Sequence, residues 1–335
     1  MRIAVDAMGG DYAPAEIVAG CLLAAQQFPD TELLLVGDET ALRAQLPAAL
    51  PANLVVWHAP DTIAMDEDPA KSVRRKPDSS LAVAARLVAQ GEAEALFSAG
   101  NTGAVTAAAA LLIGRLRGVD RPGIATVLPS RNGWAIVCDV GANVDCKAEW
   151  IVQFGVMAAI YAEEVEGIAN PRVGLLNIGE ESSKGDSRSK SAHELFQAAG
   201  LNWIGNVDAK DTFRGVTDVI ACDGFAGNLL LKASEGAAEY FVDLMRAALT
   251  KNWQTKLGAL LVKPGLRQMK RKIDYSEYGG AFLLGIKGLV VIGHGRSNAK
   301  AVASALRRTR MGLEHRLVQR LETRFSPPEA SVAVG

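Results

Sequence analysis

Along most of the chain, short apolar runs alternate with longer stretches in which apolar positions recur every third or fourth residue. The short runs fall at residues 3–7, 33–36, 54–57, 95–97, 124–128, 135–139, 173–178, 203–205, 219–221 and 289–292, and predict strands. The longer stretches, at 14–27, 80–90, 103–113, 147–164, 192–198, 228–250 and 298–321, predict amphipathic helices. Alternation of this kind predicts an α/β fold in three layers, α/β/α, with helices on both faces of a largely parallel sheet. Residues 124–128 and 135–139 are joined by Pro129-Ser130-Arg131-Asn132-Gly133, which reads as a hairpin turn, so the sheet is expected to be mixed. A single α/β domain is expected over residues 1–325, with a loose tail of small residues and two prolines at 326–335.

One segment departs from the pattern. Residues 251–273 carry Lys251, Lys256, Lys263, Arg267, Lys270, Arg271 and Lys272 but no acidic residue. Trp253, Leu257, Leu260 and Leu261 recur there at helical spacing, and Pro264-Gly265 is expected to break the helix. The segment therefore predicts a basic, amphipathic helical hairpin projecting from the body.

Composition narrows the function classes. The 335 residues include 36 Lys+Arg against 37 Asp+Glu, a balance that argues against a whole-protein nucleic-acid binder. Cys21, Cys138, Cys146 and Cys222 are scattered without a paired spacing, so neither a disulfide frame nor a zinc knuckle is indicated. Asp6 interrupts the N-terminus before a signal-peptide core could form, and no apolar run reaches the roughly 18–20 residues of a membrane span. A soluble intracellular protein is expected.

Candidate chemistry lies where strands end. In open α/β sheets ligands bind outside the carboxyl ends of strands, and here those ends are glycine plus polar residues. They read Asp6-Ala7-Met8-Gly9-Gly10-Asp11, Ser98-Ala99-Gly100-Asn101-Thr102-Gly103, Asp139-Val140-Gly141-Ala142-Asn143 and Asn177-Ile178-Gly179-Glu180-Glu181. Two more are Asp223-Gly224-Phe225-Ala226-Gly227-Asn228 and Gly293-His294-Gly295-Arg296-Ser297-Asn298. Most lead into a predicted helix N-terminus, where free N–H groups and the helix dipole favour an anion. Any one loop could equally be a plain turn or cap. As a set gathered at one edge of the sheet, they point to a shared anion site. Asp6, Asp11, Asp139 and Asp223 read as loop organisers and caps rather than obligatory bases.

Several enzyme classes lack their signatures. There is no GxxxxGK[ST] loop, GxSxG elbow or HExxH helix. His58, His193, His294 and His315 are too dispersed to suggest a metal cluster. A covalent nucleophile is therefore not indicated, and a pocket that binds phosphate and polarises a carbonyl fits better. Lys184, in Glu181-Ser182-Ser183-Lys184-Gly185-Asp186, is the best cation for it; the alternative is a solvated loop lysine. Asn228 follows Gly227 at the start of a long predicted helix and could donate to an oxyanion, or could simply cap the helix.

In this order the loops resemble the PlsX family, the acyl-acyl carrier protein:phosphate acyltransferases of bacterial phospholipid synthesis. The resemblance extends through Asp274-Tyr275-Ser276-Glu277-Tyr278-Gly279-Gly280-Ala281 and lacks only the tail. It implies a fold shared with phosphate acetyltransferases and with isocitrate and isopropylmalate dehydrogenases. It also implies a homodimer in which inorganic phosphate, with no cofactor, takes a long acyl chain from the carrier protein's thioester. The product, acyl phosphate, would pass to a membrane glycerol-3-phosphate acyltransferase. The family's active-site lysine and asparagine fall on Lys184 and Asn228, and the glycine loops would bind phosphate and substrate.

Carrier protein is acidic, so Lys263, Arg267, Lys270, Arg271 and Lys272 are expected to steer and bind it. Leu257, Leu260, Leu261 and Val262 suit shallow insertion into an anionic bilayer at the inner face of the cell membrane. The competing reading packs these residues in a dimer interface. A metal-dependent, NAD-linked decarboxylating dehydrogenase on the same fold would need an arginine set and an aspartate cluster that cannot be assembled here. A non-catalytic lipid-binding regulator would leave the anion loops unexplained.

Overall fold

The computed structural model describes residues 1–273 and 279–326, without the side chains of residues 267, 268 and 270–273. The expected tail beyond Ser326 and the motif residues 274–278 lie outside the described residues. The strands are β1 (Arg2–Asp6), β2 (Glu32–Gly37), β3 (Leu54–His58), β4 (Ala95–Ser98), β5 (Gly123–Ser130) and β6 (Gly133–Cys138). They continue with β7 (Arg172–Asn177), β8 (Asn202–Asp208), β9 (Val219–Ala221), β10 (Ala281–Leu284) and β11 (Leu289–Ile292). Together they form one eleven-stranded sheet in the order β3-β2-β1-β4-β11-β10-β5-β6-β9-β7-β8.

Alternate side chains of each strand enter two different cores. Ile3 and Val5 join a cluster with α1 (Ala15–Gln27), α6 (Ala148–Glu164), α7 (Ser187–Gln197), α10 (Ala299–Glu314) and α11 (Leu317–Phe325). Ala4 and Leu96 join the cluster on the other face, with α3 (Pro69–Arg75), α4 (Ser80–Ala89) and α5 (Thr102–Ala108). Helices thus cover both faces, the expected three layers. With both faces buried, a strand must be apolar throughout, which is why these segments show as unbroken apolar runs.

Three local features differ from the sequence expectation. The helix expected over 298–321 is two helices, because Arg316 takes a left-handed φ of 53° between them. Short α2 (Glu39–Gln45) and α3 were unanticipated, each capped by an aspartate, Asp38 or Asp68. The third is β10, four residues following a Gly-Gly pair.

This short strand has the largest consequence. β10 is antiparallel to both β11 and β5, and β5 is antiparallel to β6 through the expected hairpin, whose last pair is Ser130 with Gly133. Each remaining pair in the sheet is parallel. Strands β1 to β4, β5 and β11 therefore run one way, and β6 to β10 run the other.

The projecting hairpin also differs from its expected boundaries. It comprises α8 (Gly224–Thr250) and α9 (Trp253–Ile273), packed on each other. The turn falls at Lys251-Asn252, where Asn252 Oδ1 accepts from the Thr255 N–H at 2.9 Å and the Asn252 N–H donates to Thr255 Oγ1 at 3.1 Å. That reciprocal cap starts α9. Pro264 does not end the helix: it lies inside α9, lacking one backbone donor, on a surface helix whose neighbouring residues are mostly strong helix formers. Beyond Gly227 none of the α8 residues is fully buried, and Leu230 and Leu231 are the last that pack against the core, so the hairpin leaves the body after its second turn. No helix among the described residues is long and apolar enough to cross a membrane.

Candidate active site

The reversal of strand direction splits the glycine loops into two clusters. Those after β1, β4 and β11 run off in one direction and those after β6, β9 and β7 in the other, but the register starts both sets from one row across the sheet, Val5, Phe97, Val291, Phe282, Ala125, Cys138 and Ala221. The expected shared edge is therefore a line across the middle of the sheet, from which the loops leave in two directions. Between the two loop sets stand β10 and β5, so the ends of β11 and β6 are separated by three strand spacings, about 14 Å.

The first cluster is organised by Asp6, which is buried at the end of β1. Its carboxylate accepts from Ser80 Oγ and Ser98 Oγ, each at 2.6 Å, and Ser98 Oγ accepts the Gly100 N–H at 3.1 Å. A Cβ on Gly9 would stand 2.4 Å from Asp6 Oδ2, so only glycine lets that loop close over the carboxylate. The Asp11 N–H donates to the Gly295 carbonyl at 2.8 Å, tying the first loop to the last. Asn101 caps α5, accepting from Ala104 N–H at 3.0 Å, and reaches the Met65 carbonyl at 2.7 Å; Asn298 caps α10 through Ala301 N–H at 2.9 Å. Thr102 and Gly103 are exposed in the first turn of α5, and His294 is exposed beside buried Ser297, whose N–H donates to the His294 carbonyl at 2.9 Å.

The second cluster is built around Asp139, fully buried just after β6. Its Oδ1 accepts from the N–H groups of Ile124, Gly141 and Ala142 at 2.9, 3.2 and 3.1 Å. Its Oδ2 accepts from Asn143 N–H at 2.7 Å and Asn143 Nδ2 at 3.0 Å. Burial pushes this carboxyl above its usual range even against those donors. With both oxygens occupied, Asp139 shapes the loop. Asn143 passes the order on: its carbonyl accepts the Gly224 N–H at 2.7 Å, at the start of α8. Gly227 then lies so close that a Cβ would fall 1.9 Å from the Asp139 carbonyl oxygen.

Asp223, not Asn228, caps α8, accepting the Ala226 N–H at 2.8 Å. Its other oxygen is held by Arg188 at 2.8 Å, from the first turn of α7. Asn228 lies one turn further on, exposed, where a Cβ on Gly141 would be 3.8 Å from its Oδ1. Lys184 is exposed on the loop after β7 and has no salt-bridge partner among the described residues. Asn177 pins that loop by donating from Nδ2 to the Lys184 carbonyl at 3.2 Å, and a Cβ on Gly179 would stand 3.3 Å from Lys184 Cγ. Because β9 lies between β6 and β7, the Asp223–Asn228 loop sits between the Asp139 and Lys184 loops.

This cluster thus brings together Asn143, Asn177, Gly179, Lys184, Asp223, Gly224, Gly227 and Asn228. Gly9, Gly10, Asp11, Ser98, Gly100, Asn101, Thr102, Gly103, His294, Ser297 and Asn298 belong to the first cluster. Two features of the second cluster had no sequence signal. Arg188 meets a carboxylate 35 residues away. Ile178, Phe225 and Leu229 are 80%, 63% and 60% exposed beside the polar loops. Expected respectively as a strand end, a loop residue and part of a helix, they instead give the site an apolar border.

Chemically, this cluster offers an unpaired ammonium, a side-chain amide and the N-terminus of a 27-residue helix, converging where several loops leave the sheet. Residues 1–320 match the family described as "Fatty acid synthesis protein". The chain is 49% identical over 336 residues to the phosphate acyltransferase of Pelotomaculum thermopropionicum, covering 100% of this chain and 98% of that one. It is 48% identical to that of Desulfitobacterium hafniense strain Y51, covering 96% of each. The chain belongs to the PlsX family of phosphate acyltransferases. It is an acyltransferase of lipid biosynthesis. Solved structures show the fold: a phosphotransacetylase from Streptococcus pyogenes superposes with TM-score 0.60 at 14% identity, over 95% of this chain and 94% of that one. A 4-hydroxythreonine-4-phosphate dehydrogenase from Klebsiella pneumoniae gives 0.52 at 14% identity, over 92% and 97%. The phosphate acyltransferase thus shares its architecture with both acyl-transfer and dehydrogenase proteins.

Proposed function

We propose that this phosphate acyltransferase moves a long fatty acyl group from acyl carrier protein to inorganic phosphate, giving acyl phosphate, at the second loop cluster. The observation that carries the reading is the convergence of Lys184, Asn228 and the start of α8 beside exposed apolar side chains. A phosphate oxygen attacks the thioester carbonyl carbon, the C–S bond breaks, and the carrier thiolate leaves and takes up a proton. Phosphate is its own nucleophile, and thioester and acyl phosphate are both activated acyl groups, so neither a serine attacker nor ATP is needed. The protein has to hold phosphate against the carbonyl and stabilise the tetrahedral oxyanion. Lys184 supplies charge, Asn228 donates an amide hydrogen, and Ile178, Phe225 and Leu229 meet the first carbons of the chain. Asn143, Asn177, Gly179, Asp223, Gly224 and Gly227 hold these donors in place, while the loops of the first cluster contribute to phosphate or substrate binding in the homodimer.

Lys263, Arg267, Lys270, Arg271 and Lys272 receive the acidic carrier protein. Leu257, Leu260, Leu261 and Val262 attach the enzyme to the anionic inner face of the cell membrane, where a membrane glycerol-3-phosphate acyltransferase consumes the labile product. The test is incubation with palmitoyl-carrier protein and phosphate without ATP, scoring acyl phosphate and free carrier thiol. Lys184→Ala and Asn228→Ala should each lower kcat/KM about 10²–10³-fold with the fold intact. Near-normal turnover by both variants would remove these residues from the chemistry.

A further inference from the structure

Lys184 stands on an exposed loop, yet the turn that carries it is held at both ends. Its own N–H donates to the Glu181 carbonyl at 3.0 Å, closing the turn Glu181-Ser182-Ser183-Lys184. The same carbonyl accepts Asn206 Nδ2 at 2.8 Å, from a residue of β8. At the far end Asn177 donates to the Lys184 carbonyl. Asn206 is buried, and a buried amide costs free energy unless its polar atoms are paired. With Nδ2 on Glu181, its Oδ1 faces His193 Nδ1 at 3.1 Å, so that ring nitrogen carries the hydrogen. His193, on α7, is set edge-on to Trp203 with ring centroids 5.4 Å apart, and Trp203 stacks on buried Phe196 at 4.5 Å.

Regular strand geometry would turn Asn206 the other way. Along an unbroken strand, residues three apart point to opposite faces. Trp203 and Asn206 share a face because the β7–β8 register shifts: Trp203 pairs with Val173, Gly205 with Gly174 and Asn206 with Leu175. Ile204 is thus the extra residue of a bulge, and Gly205 takes the positive φ of 96° beside it. Val173 and Leu175 both belong to the core cluster on the α7 face. The bulge therefore aims Asn206 at the face where α7 presents His193 and where the Lys184 loop leads into α7. Re-aiming one side chain beside an active site is a recurrent use of bulges.

We infer that Asn206 is a positioning residue, which acts through the Glu181 carbonyl to hold the Lys184 turn and so to aim the ammonium into the loop cluster. The inference rests on the reading that Lys184 serves the transfer reaction. Glu181 is exposed, so solvent satisfies its carbonyl when the amide is removed, and the cost falls on position rather than on stability. Misplacing a catalytic group by about 1 Å can cost about 10²-fold in rate.

The experiment pairs kinetics with tryptic cleavage of the full chain. Asn206→Leu keeps a branched side chain of similar size without the amide; Asn206→Ala is read in the same way should the leucine variant not fold. Asn206→Leu should lower kcat about tenfold with palmitoyl-carrier protein and phosphate, with KM for the carrier protein little changed. Trypsin should cut the native variant severalfold faster between Lys184 and Gly185, located by mass, and no faster elsewhere. In a Lys184→Ala background, Asn206→Leu should cost nothing further, since both act through one ammonium. A residue needed only for stability would lower Tm, speed cleavage throughout and multiply its effect with Lys184→Ala, and that result would overturn the inference. Unchanged cleavage at Lys184 would overturn it too, as would wild-type turnover by Asn206→Leu where Lys184→Ala is impaired. Full turnover by Lys184→Ala would instead sink the transfer reading, while cleavage still reports whether Asn206 holds the turn, so the two failures are distinguishable.

Discussion

Asp6 and Asp139 each end a strand as a buried carboxylate, and their partners set what each can do. Asp139 has five donors, whereas Asp6 is held chiefly by two serine hydroxyls. Burial raises the Asp6 carboxyl above the usual carboxylate range, with the hydrogen bonds from Ser80 and Ser98 opposing the shift. Folded Asp6 therefore keeps its proton over a range where the unfolded chain, titrating near pH 4, has lost it. In that range the native state binds more protons, so stability falls as pH rises from about 4 through the raised value. Asparagine cannot ionise, and one serine hydroxyl can turn to accept from it. In thermal melts, wild type minus Asp6→Asn should be most favourable near pH 4 and decline as pH rises. A difference that stays constant up to pH 7 would exclude the raised carboxyl. At this scale the sequence shows residue types well and their duties poorly. Asn228 after glycine looks like a cap, yet Asp223 holds that position because the helix begins four residues earlier. Arg188 has no signal in the sequence, because its partner Asp223 comes from a different strand end.

Within α8, two glycines of the same helix have opposite meanings. Gly227 is pressed against the Asp139 carbonyl, while a Cβ on Gly236 would meet nothing within 4 Å. Gly227→Ala should drive α8 off the β6 loop, lowering both Tm and turnover. Gly236→Ala should raise stability by about 0.5–1 kcal/mol, since alanine restricts the unfolded chain and favours helix. Denaturant titration of the two variants checks the contrast; equal effects would mean that α8 is not seated on that carbonyl. Most of the ten strands legible in the sequence are central ones whose two buried faces demand unbroken apolar runs, and the outer β3 and β8 show as shorter apolar runs with exposed positions. β10 escaped because four residues behind two glycines make no pattern of their own. The loss mattered more than its length, since that strand helps reverse the sheet and sends the loops in two directions. Strand direction is a property of pairing, and no residue type encodes it. The hairpin boundary was misread for a related reason: proline signals a break, but the exposed α9 absorbs one missing hydrogen bond, and the turn forms where Asn252 and Thr255 cap each other.

For the whole molecule, the hairpin poses the question of why a chain with a well-filled two-faced core should expose leucines so far from it. Leu257 and Leu261, 55% and 80% exposed, share a helix with Lys256 and Lys263, and Lys251 lies in the turn before it. Scattered exposed leucines need no explanation, but a stripe at helical spacing beside lysines does. Two surfaces could cover it, a bilayer or a second copy of the chain, and they make different demands on charge. A bilayer with anionic lipid attracts the lysines as it takes up the leucines. A second copy must bury the leucines and leave the lysines at a rim. Leu257→Glu/Leu261→Glu places carboxylates on the exposed leucine stripe. If the bilayer covers the stripe, this variant stays dimeric and turns over palmitoyl-carrier protein in solution but no longer sediments with anionic vesicles. The wild type should lose vesicle binding as salt rises past the range where surface charges are screened. Dissociation of the variant into monomers that still sediment with vesicles would instead assign the leucines to the dimer interface.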